Sequence, residues 1–176
     1  MEEQLGQYLR DKFPNSAEYK LSTYALFIDQ GLQRLGEGGY LGYILPDSFL
    51  LGRFFSKLRK CILDSCAIKE IMLFTEDFWS GGTIGLPVIL ILQRVDNSQS
   101  RRNNQVSVRL CADLNELKSG NFSKSFSYKQ SYFESVLHYR FRLFFDEISK
   151  AIMDKLEYSY LTFGSIADIY SGCIGR

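Results

Sequence analysis

The chain has 176 residues, which is enough for one domain with a substantial hydrophobic core. Hydrophobic residues make up 45% of it and aromatic residues 15%, a composition that argues against wholesale disorder. The 21 basic and 20 acidic side chains leave a formal net charge of +1. No overall electrostatic attraction to DNA or to an anionic membrane is therefore expected, and any contact with nucleic acid must be local.

The cysteines, the single histidine and the apolar runs argue against a metal site, a signal peptide and a membrane span. The four cysteines contain no C-x-x-C pair, and the single His138 does not complete a zinc set, so no metal site is expected. Free buried thiols in a reducing compartment are the simplest interpretation. The N-terminus has no basic region followed by an apolar one, and the longest apolar run, residues 86–92, is too short to span a membrane. We expect a soluble cytoplasmic protein with no membrane partner.

The first elements predicted in chain order are a helix and a strand. From Ser22 to Leu35 the apolar residues recur at helical spacing, and the glycines of 36–39 end the helix. Residues 40–45 are apolar apart from Gly42, which is typical of a strand covered on both faces of a parallel sheet. Pro46 cannot donate to a sheet ladder, so the strand is expected to end there.

A second helix is predicted directly after this corner, capped by Asp47 or Ser48. Its apolar positions are Leu51, Phe54, Phe55, Leu58 and Ile62. Residues 67–74 and 86–93 read as two further strands, and the stretch between them is too short for a crossover helix. These two strands are therefore expected to pair antiparallel, as a hairpin at one edge of an open α/β sheet.

The second half of the chain is less regular. We predict a polar loop over 96–105, a strand over 106–110, a short helix near Asp113, an aromatic-rich stretch over 122–145 and a helix over 146–156. The expected division is a catalytic-type sheet over residues 1–95 and an extension with a linker helix over residues 96–176.

Ligands of open α/β sheets bind beyond the carboxyl ends of the strands, and two such ends are visible. One is the Pro46–Asp47–Ser48 corner, where Asp47 either caps a helix or faces a site. The other is the loop after Phe74, where Phe78 and Trp79 either stack on a base or fold back onto the sheet edge. Arg101 and Arg102 are either solvated loop charges or phosphate contacts. No catalytic triad, paired carboxylates or phosphate-binding glycine loop has convincing spacing.

The order of residues also carries a family resemblance. YALFIDQGLQRLGEGGYLGYILPDSFLLGRFFSKLRKCILDSCAIKEIMLF, followed by LPVILILQR, resembles the gamma-class adenine-specific DNA methyltransferases that are fused in type IIG restriction–modification enzymes. The resemblance covers residues 19–95. The tail SIADIYSGCIGR is similar, more weakly, to the segment that leads from the catalytic domain of these enzymes to their target-recognition domain.

This resemblance implies a fold, a reaction and two site residues. The fold would be the second half of a Rossmann-like sheet, and the reaction would move a methyl group from S-adenosylmethionine to the amine of a flipped adenine. Phe27 matches the family aromatic that packs on the adenine of the cofactor, and Asp29 replaces the usual Glu of that motif. Phe78 matches the aromatic that stacks on the flipped base. Double-stranded DNA would be the partner of the parent protein.

The sequence also departs from the family pattern. It contains neither the glycine-rich cofactor loop nor the catalytic Asn-Pro-Pro-Tyr motif, so we expect no catalytic residue in this chain and an inactive fragment of a longer enzyme. Half a sheet would leave one strand edge and one apolar face uncovered, which predicts self-association. The alternative is a non-catalytic interaction or nucleic-acid-binding module that kept the sheet.

Overall fold

The computed structural model describes residues 2–17, 21–77, 85–122, 124–159, 161 and 165–168. The strands are β1 (Tyr40–Pro46), β2 (Cys66–Phe74), β3 (Pro87–Arg94), β4 (Gln105–Cys111) and β5 (Lys124–Lys129). The helices are α1 (Glu2–Lys12), α2 (Thr23–Arg34), α3 (Ser48–Leu51), α4 (Ser56–Ser65), α5 (Ser98–Asn103), α6 (Leu114–Ser119), α7 (Ser131–Ser135) and α8 (Glu147–Ser159). None of the helices in these ranges is long and apolar enough to cross a membrane.

All five strands form one sheet in the order β1-β3-β2-β4-β5. β3 runs antiparallel to both β1 and β2, β4 runs parallel to β2, and β5 runs antiparallel to β4. The α/β class and the antiparallel hairpin are therefore confirmed. The hairpin lies inside the sheet rather than at its edge, because β1 adds to one side of it and β4 to the other.

The sheet continues past residue 95, where the sequence suggested a division. β4 and β5 extend it, and the chain separates into compact units at Met1–Arg142 and Leu143–Arg176. The functional division into residues 1–95 and 96–176 stays a prediction. β5 was not foreseen within the aromatic-rich stretch, and the predicted polar loop contains α5.

One face of the sheet carries the core. The register places Leu45, Leu90 and Ile71 on the same face, and α2 and α4 pack against the sheet. The completely buried side chains of this core include Ile28, Leu58, Ile62, Ile68, Ile71, Val106 and Val108. At about 25 cal/mol per Å² of apolar surface removed from water, this layer provides the main driving force for folding.

The opposite face is covered on one half only. Met72, Phe74 and Cys111 form a buried cluster there, with Leu117 and Phe122 packed against it. On the β1 half, Tyr40 is 61% exposed and Ile44 is 44% exposed. The expectation that residues 40–45 are covered on both faces is therefore wrong, because the described chain places no helix over that part of the sheet.

A buried guanidinium joins two distant segments of the core. Arg59 of α4 is fully buried, and it donates from Nη1 to the carbonyls of Phe49 (2.6 Å) and Gly52 (2.8 Å). It also donates from Nη2 to the carbonyl of His138 (3.0 Å) and from Nε to that of Tyr139 (2.9 Å). These bonds satisfy carbonyls that have left regular structure, since His138 and Tyr139 both have positive φ.

Replacing Arg59 with Met should therefore destabilise the fold. The substitution keeps an apolar stem but leaves four carbonyls without their donor, so we expect a loss of at least about 3 kcal/mol in the free energy of unfolding, measured by chemical denaturation. Lys118→Met at an exposed position of α6 is the control and should change it by less than about 0.5 kcal/mol. Equal stability of the two variants would contradict this role of Arg59.

Candidate functional site

The two strand ends singled out in the sequence meet at one edge of the sheet. Pro46, the last residue of β1, is paired with Pro87, the first residue of β3. The amide of Asp47 donates to the carbonyl of Leu86 at 2.9 Å. Because β3 is antiparallel to β1 and β2, the β2–β3 connection begins and ends at the carboxyl edge, where ligands of open α/β sheets bind.

Asp47 faces the last part of that connection. It immediately precedes α3, but its side chain makes no capping hydrogen bond, so the predicted cap is not formed by its carboxylate. A Cβ added to Gly85 would overlap Asp47 Oδ1, and Gly85 has φ +100°. A glycine is required here both for the backbone conformation and for the space beside the carboxylate.

The helix predicted after the corner is broken into pieces. α3 ends at Leu51, Gly52 adopts an extended conformation, a 3₁₀ turn covers Arg53–Phe55, and α4 then begins at Ser56. Leu51 and Phe54, predicted to be apolar core positions, are exposed as a result. Leu58 and Ile62 of α4 are buried as the helical spacing predicted.

Phe27 lies on α2 with 59% of its surface exposed. Its neighbours Ile28 and Asp29 are almost completely buried, so the helix itself is firmly packed while this ring is presented outward. An exposed aromatic ring on a rigid helix provides a face on which a purine can stack. The assignment of Phe27 to the cofactor stays a prediction.

The carboxylate of Asp29 holds the N-terminal segment against α2. Asp29 Oδ2 accepts a hydrogen bond from Ser16 Oγ at 3.0 Å, and Oδ1 accepts one from Gln33 Nε2 at 3.1 Å. No sequence pattern indicates the Ser16 partner, which lies thirteen residues away in the segment after α1. In this structure Asp29 orients α2, and thus the Phe27 ring, without being exposed itself.

Tyr24 packs on the α3 side of α2. Its ring lies 5.5 Å from that of Phe55 and 6.4 Å from that of Phe49, centroid to centroid. Burial raises the pKa of the Tyr24 phenol, while hydrogen bonds with Ser22 and Ser48 act in the opposite direction. The phenol is therefore protonated at neutral pH and acts as an aromatic link between α2 and the corner.

Phe78 and Trp79 fall in residues 78–84, outside the described residues. The two alternatives for Phe78, stacking on a base or packing on the sheet edge, both stay open. What the structure provides is the position of the flanking residues, Asp77 on one side and Gly85 on the other.

Arg101 has structural partners instead of the roles considered for it, whereas the exposed Arg102 keeps both of its alternatives open. Arg101 is 9% exposed, and it donates to the carbonyls of Leu63 (3.2 Å), Val95 (2.5 Å) and Asp96 (2.8 Å). Arg102 Nε lies 2.9 Å from Glu134 Oε2. Arg101 thus joins the end of α4 to the start of α5 and is not a solvated loop charge.

The described residues contain no group of three side chains that could hold a metal ion. Their three cysteines, Cys61, Cys66 and Cys111, are free thiols. Burial raises the pKa of the Cys61 thiol to about 11 and also raises that of Cys66. Both thiols are therefore protonated near neutral pH and are poor nucleophiles.

Comparisons with known proteins find relatives among restriction-modification methyltransferases. Residues 1–79 match the model of the Eco57I restriction-modification methylase family. The type II restriction enzyme and methyltransferase RM.Eco57I of Escherichia coli is 39% identical over 59 residues, which are 34% of this chain and 6% of that protein. The type II methyltransferase M.PstI of Providencia stuartii is 36% identical over 53 residues, 30% of this chain and 10% of that one. This chain thus matches only a small part of these relatives.

Solved structures show the same fold. A putative class I S-adenosylmethionine-dependent methyltransferase from Listeria monocytogenes aligns with a TM-score of 0.51 and 25% identity, over 62% of this chain and 33% of its own. The type IIG restriction endonuclease BpuSI aligns with a TM-score of 0.54 and 12% identity, over 80% of this chain and 18% of its own. The resemblance to restriction-modification methyltransferases and the methyltransferase-type α/β fold are thereby confirmed.

The contact between Gly85 and Asp47 gives a direct test of the corner. Gly85→Ala should destabilise the chain more than Gly38→Ala, because both glycines have positive φ but only Gly85 faces a neighbouring side chain. Displacing the Asp47 carboxylate from its rotamer should add about 0.5–1.5 kcal/mol, measured as a difference in the free energy of unfolding.

The double variant Asp47→Ala/Gly85→Ala separates the two contributions. Gly85→Ala should cost less free energy of unfolding in the Asp47→Ala background than in the unmodified chain, because only the strain of the positive φ then remains. If the extra cost persists without the carboxylate, Asp47 does not pack against the end of the β2–β3 connection.

Proposed function

We propose that this chain forms part of the catalytic domain of a site-specific DNA (adenine-N6) methyltransferase of a restriction-modification or phage-defence system, working in the cytoplasm. The observation that carries the proposal is the β1-β3-β2 order, which brings the β2–β3 connection to the carboxyl end of β1. The match of residues 1–79 to the restriction-modification methylase family supports it. The activity belongs to the parent protein, and this chain alone is proposed to be inactive.

S-adenosylmethionine is the proposed cofactor and supplies the methyl group when bound. The residues present fit its adenine at one point, since Phe27 offers an exposed ring on a packed helix. Phe78 is proposed to stack on the target adenine after it leaves the duplex. The groups that accept hydrogen bonds from the reacting amine are proposed to lie outside these 176 residues, since the sequence contains no Asn-Pro-Pro-Tyr.

Substitution of the two aromatic residues in the longest natural polypeptide that carries this chain tests these roles. Phe27→Ala should weaken S-adenosylmethionine binding by roughly 5- to 150-fold, the equivalent of about 1–3 kcal/mol of stacking. Phe78→Ala should lower methylation while changing cofactor affinity by less than about twofold, because the ring acts on the target base alone. Binding is measured by calorimetry and methylation by transfer of a labelled methyl group to DNA.

Tyr8→Ala, at an exposed aromatic position of α1, is the control and should change neither quantity. The methylated base is identified after hydrolysis of the DNA. N6-methyladenine supports the adenine assignment, N4-methylcytosine rejects it, and an unchanged turnover of Phe78→Ala removes the base-stacking role. No methylation by the natural polypeptide would favour the alternative, a non-catalytic interaction module.

Self-association of this chain is also proposed, through β1. In an antiparallel pair alternate residues direct their backbone groups towards the partner strand, and Asp47 N to Leu86 O sets this alternation. Tyr40, Gly42 and Ile44 therefore direct their N–H and C=O groups away from β3, where the described chain provides no partner strand. The side chains of Tyr40 and Ile44 lie on the uncovered face.

A positive charge at Ile44 should prevent this association. We expect the unmodified chain to form dimers or larger assemblies at high micromolar concentration in sedimentation equilibrium, and Ile44→Lys to be monomeric because a charged edge strand resists pairing. Leu5→Lys, at an exposed apolar position of α1, is the control and should still associate. A monomeric unmodified chain would contradict the proposal.

A further inference from the structure

Two separate stretches of the chain carry cationic side chains and no carboxylates. Residues 48–63 contain two Arg and two Lys, and residues 135–144 contain two Arg and His138, with no Asp or Glu in either stretch. For a chain with a net charge of +1, this is a strong local excess of positive charge. The basic surface is defined here by Arg53, Lys57, Lys60, His138 and Arg140.

Hydrogen bonds in the core hold the two stretches side by side. Buried Arg59 binds carbonyls from both of them. The amide of Phe141 donates to the carbonyl of Leu50 at 2.9 Å, and Arg140 Nε donates to that of Leu51 at 2.9 Å. Lys60 Nζ lies 5.8 Å from the centre of the Tyr139 ring. The positive charges are therefore brought together by the fold.

The break at Gly52 turns this region outward. Phe54 is 39% exposed, and the guanidinium of Arg53 lies over its ring at 5.1 Å from the centroid. Stacking of this kind limits the rotamers of Arg53 and so reduces the entropy it would lose on binding an anion. α3 directly follows β1, so this part of the surface adjoins the carboxyl edge of the sheet.

One carboxylate offsets part of the charge. Lys60 Nζ lies 2.5 Å from Asp64 Oδ2 within α4, and both side chains are largely exposed. An exposed pair of this kind contributes little and leaves Lys60 able to interact with a second anion. This pair neutralises one cation of the basic surface, and Arg53, Lys57 and Arg140 contribute three further positive charges.

We propose that the basic surface binds the phosphate backbone of double-stranded DNA. The proposal rests on the proposed function for the choice of DNA among polyanions, and adds which part of this chain makes the contact. Separated Arg and Lys side chains on the turn after α3 and on the exposed side of α4 suit a row of phosphates, which position a duplex without reading its sequence. Such a contact would orient DNA beside the corner formed by Asp47 and Gly85.

Charge-neutralising substitutions test the surface on the intact chain. Binding of a fluorescein-labelled 20-base-pair duplex is followed by fluorescence anisotropy between about 30 and 200 mM salt. Over this range the affinity that comes from phosphate contacts falls steeply. Arg53→Gln/Lys57→Gln/Lys60→Gln should weaken binding at low salt by at least about tenfold. It should also reduce the slope of log K against log salt by about 2 to 3, since each lost phosphate contact removes about 0.9.

The matched control is Lys118→Gln/Lys124→Gln/Lys129→Gln, which removes the same charge from exposed positions of α6 and β5. It should lower affinity less than threefold, and both triple variants should keep the melting temperature of the unmodified chain. An equal loss in both variants shows that only net charge matters and overturns the proposal. Absence of salt-dependent binding up to about 100 μM chain, the weak end of non-specific DNA binding, also overturns it.

A labelled poly-glutamate of matched charge serves as the competing polyanion. If it binds as tightly as the duplex and loses affinity in the same triple variant, an acidic protein is the partner and the DNA proposal fails. This measurement requires no methyl transfer. If this chain binds DNA through the basic surface but the parent protein does not methylate DNA, only the proposed function fails. If the parent protein methylates DNA but the Arg53→Gln/Lys57→Gln/Lys60→Gln variant keeps its DNA affinity, only this inference fails.

Discussion

The antiparallel placement of β3 between β1 and β2 is the constraint on which the rest of the structure depends. β3 pairs along its length with both neighbours, and its core-facing side chains Val88, Leu90 and Leu92 are almost fully buried. A strand inserted in this direction must be reached from the carboxyl edge of β2. The described ends of the β2–β3 connection therefore lie at the carboxyl edge beside the end of β1, and the corner exists because β3 runs antiparallel to both neighbours.

The same arrangement makes the two halves of the sheet unequal. Beyond β2, the added strands β4 and β5 extend the sheet, and Leu117 and Phe122 pack against Met72 and Phe74 on its second face. Beyond β3, only β1 follows, and its outer backbone groups and one of its faces have no cover from the described chain. Antiparallel edges with exposed apolar side chains are costly for a solitary protein, since they favour pairing with another strand. A structure of this kind is suited to be completed by further polypeptide.

The sequence predicted the elements that local patterning controls, and missed those controlled by distant partners. Helical spacing identified α2, and apolar runs identified β1, β2 and β3. The break at Gly52 was missed because Leu51 and Phe54 continue the helical pattern. β5 was missed because its alternation is short and mostly polar. The site was predicted in part: both strand ends were identified from the sequence, whereas their meeting through β3 and the Gly85–Asp47 contact depend on coordinates.

Two buried polar side chains take the place of backbone hydrogen-bond partners, and the hydrophobic pattern of the sequence did not predict their burial. Gln130 is fully buried and acts as a strand residue would, accepting from the amide of Ile68 at 2.8 Å and donating to the carbonyl of Cys66 at 2.8 Å. Arg59 does the same for carbonyls of the turns that follow β1. Gln and Arg are usually exposed, and the residues next to Gln130 and Arg59 in the sequence do not indicate that they are buried. Yet the buried Arg59 holds together the two segments that carry Arg53 and Arg140, so part of the surface charge of this protein is arranged by a charge in its core.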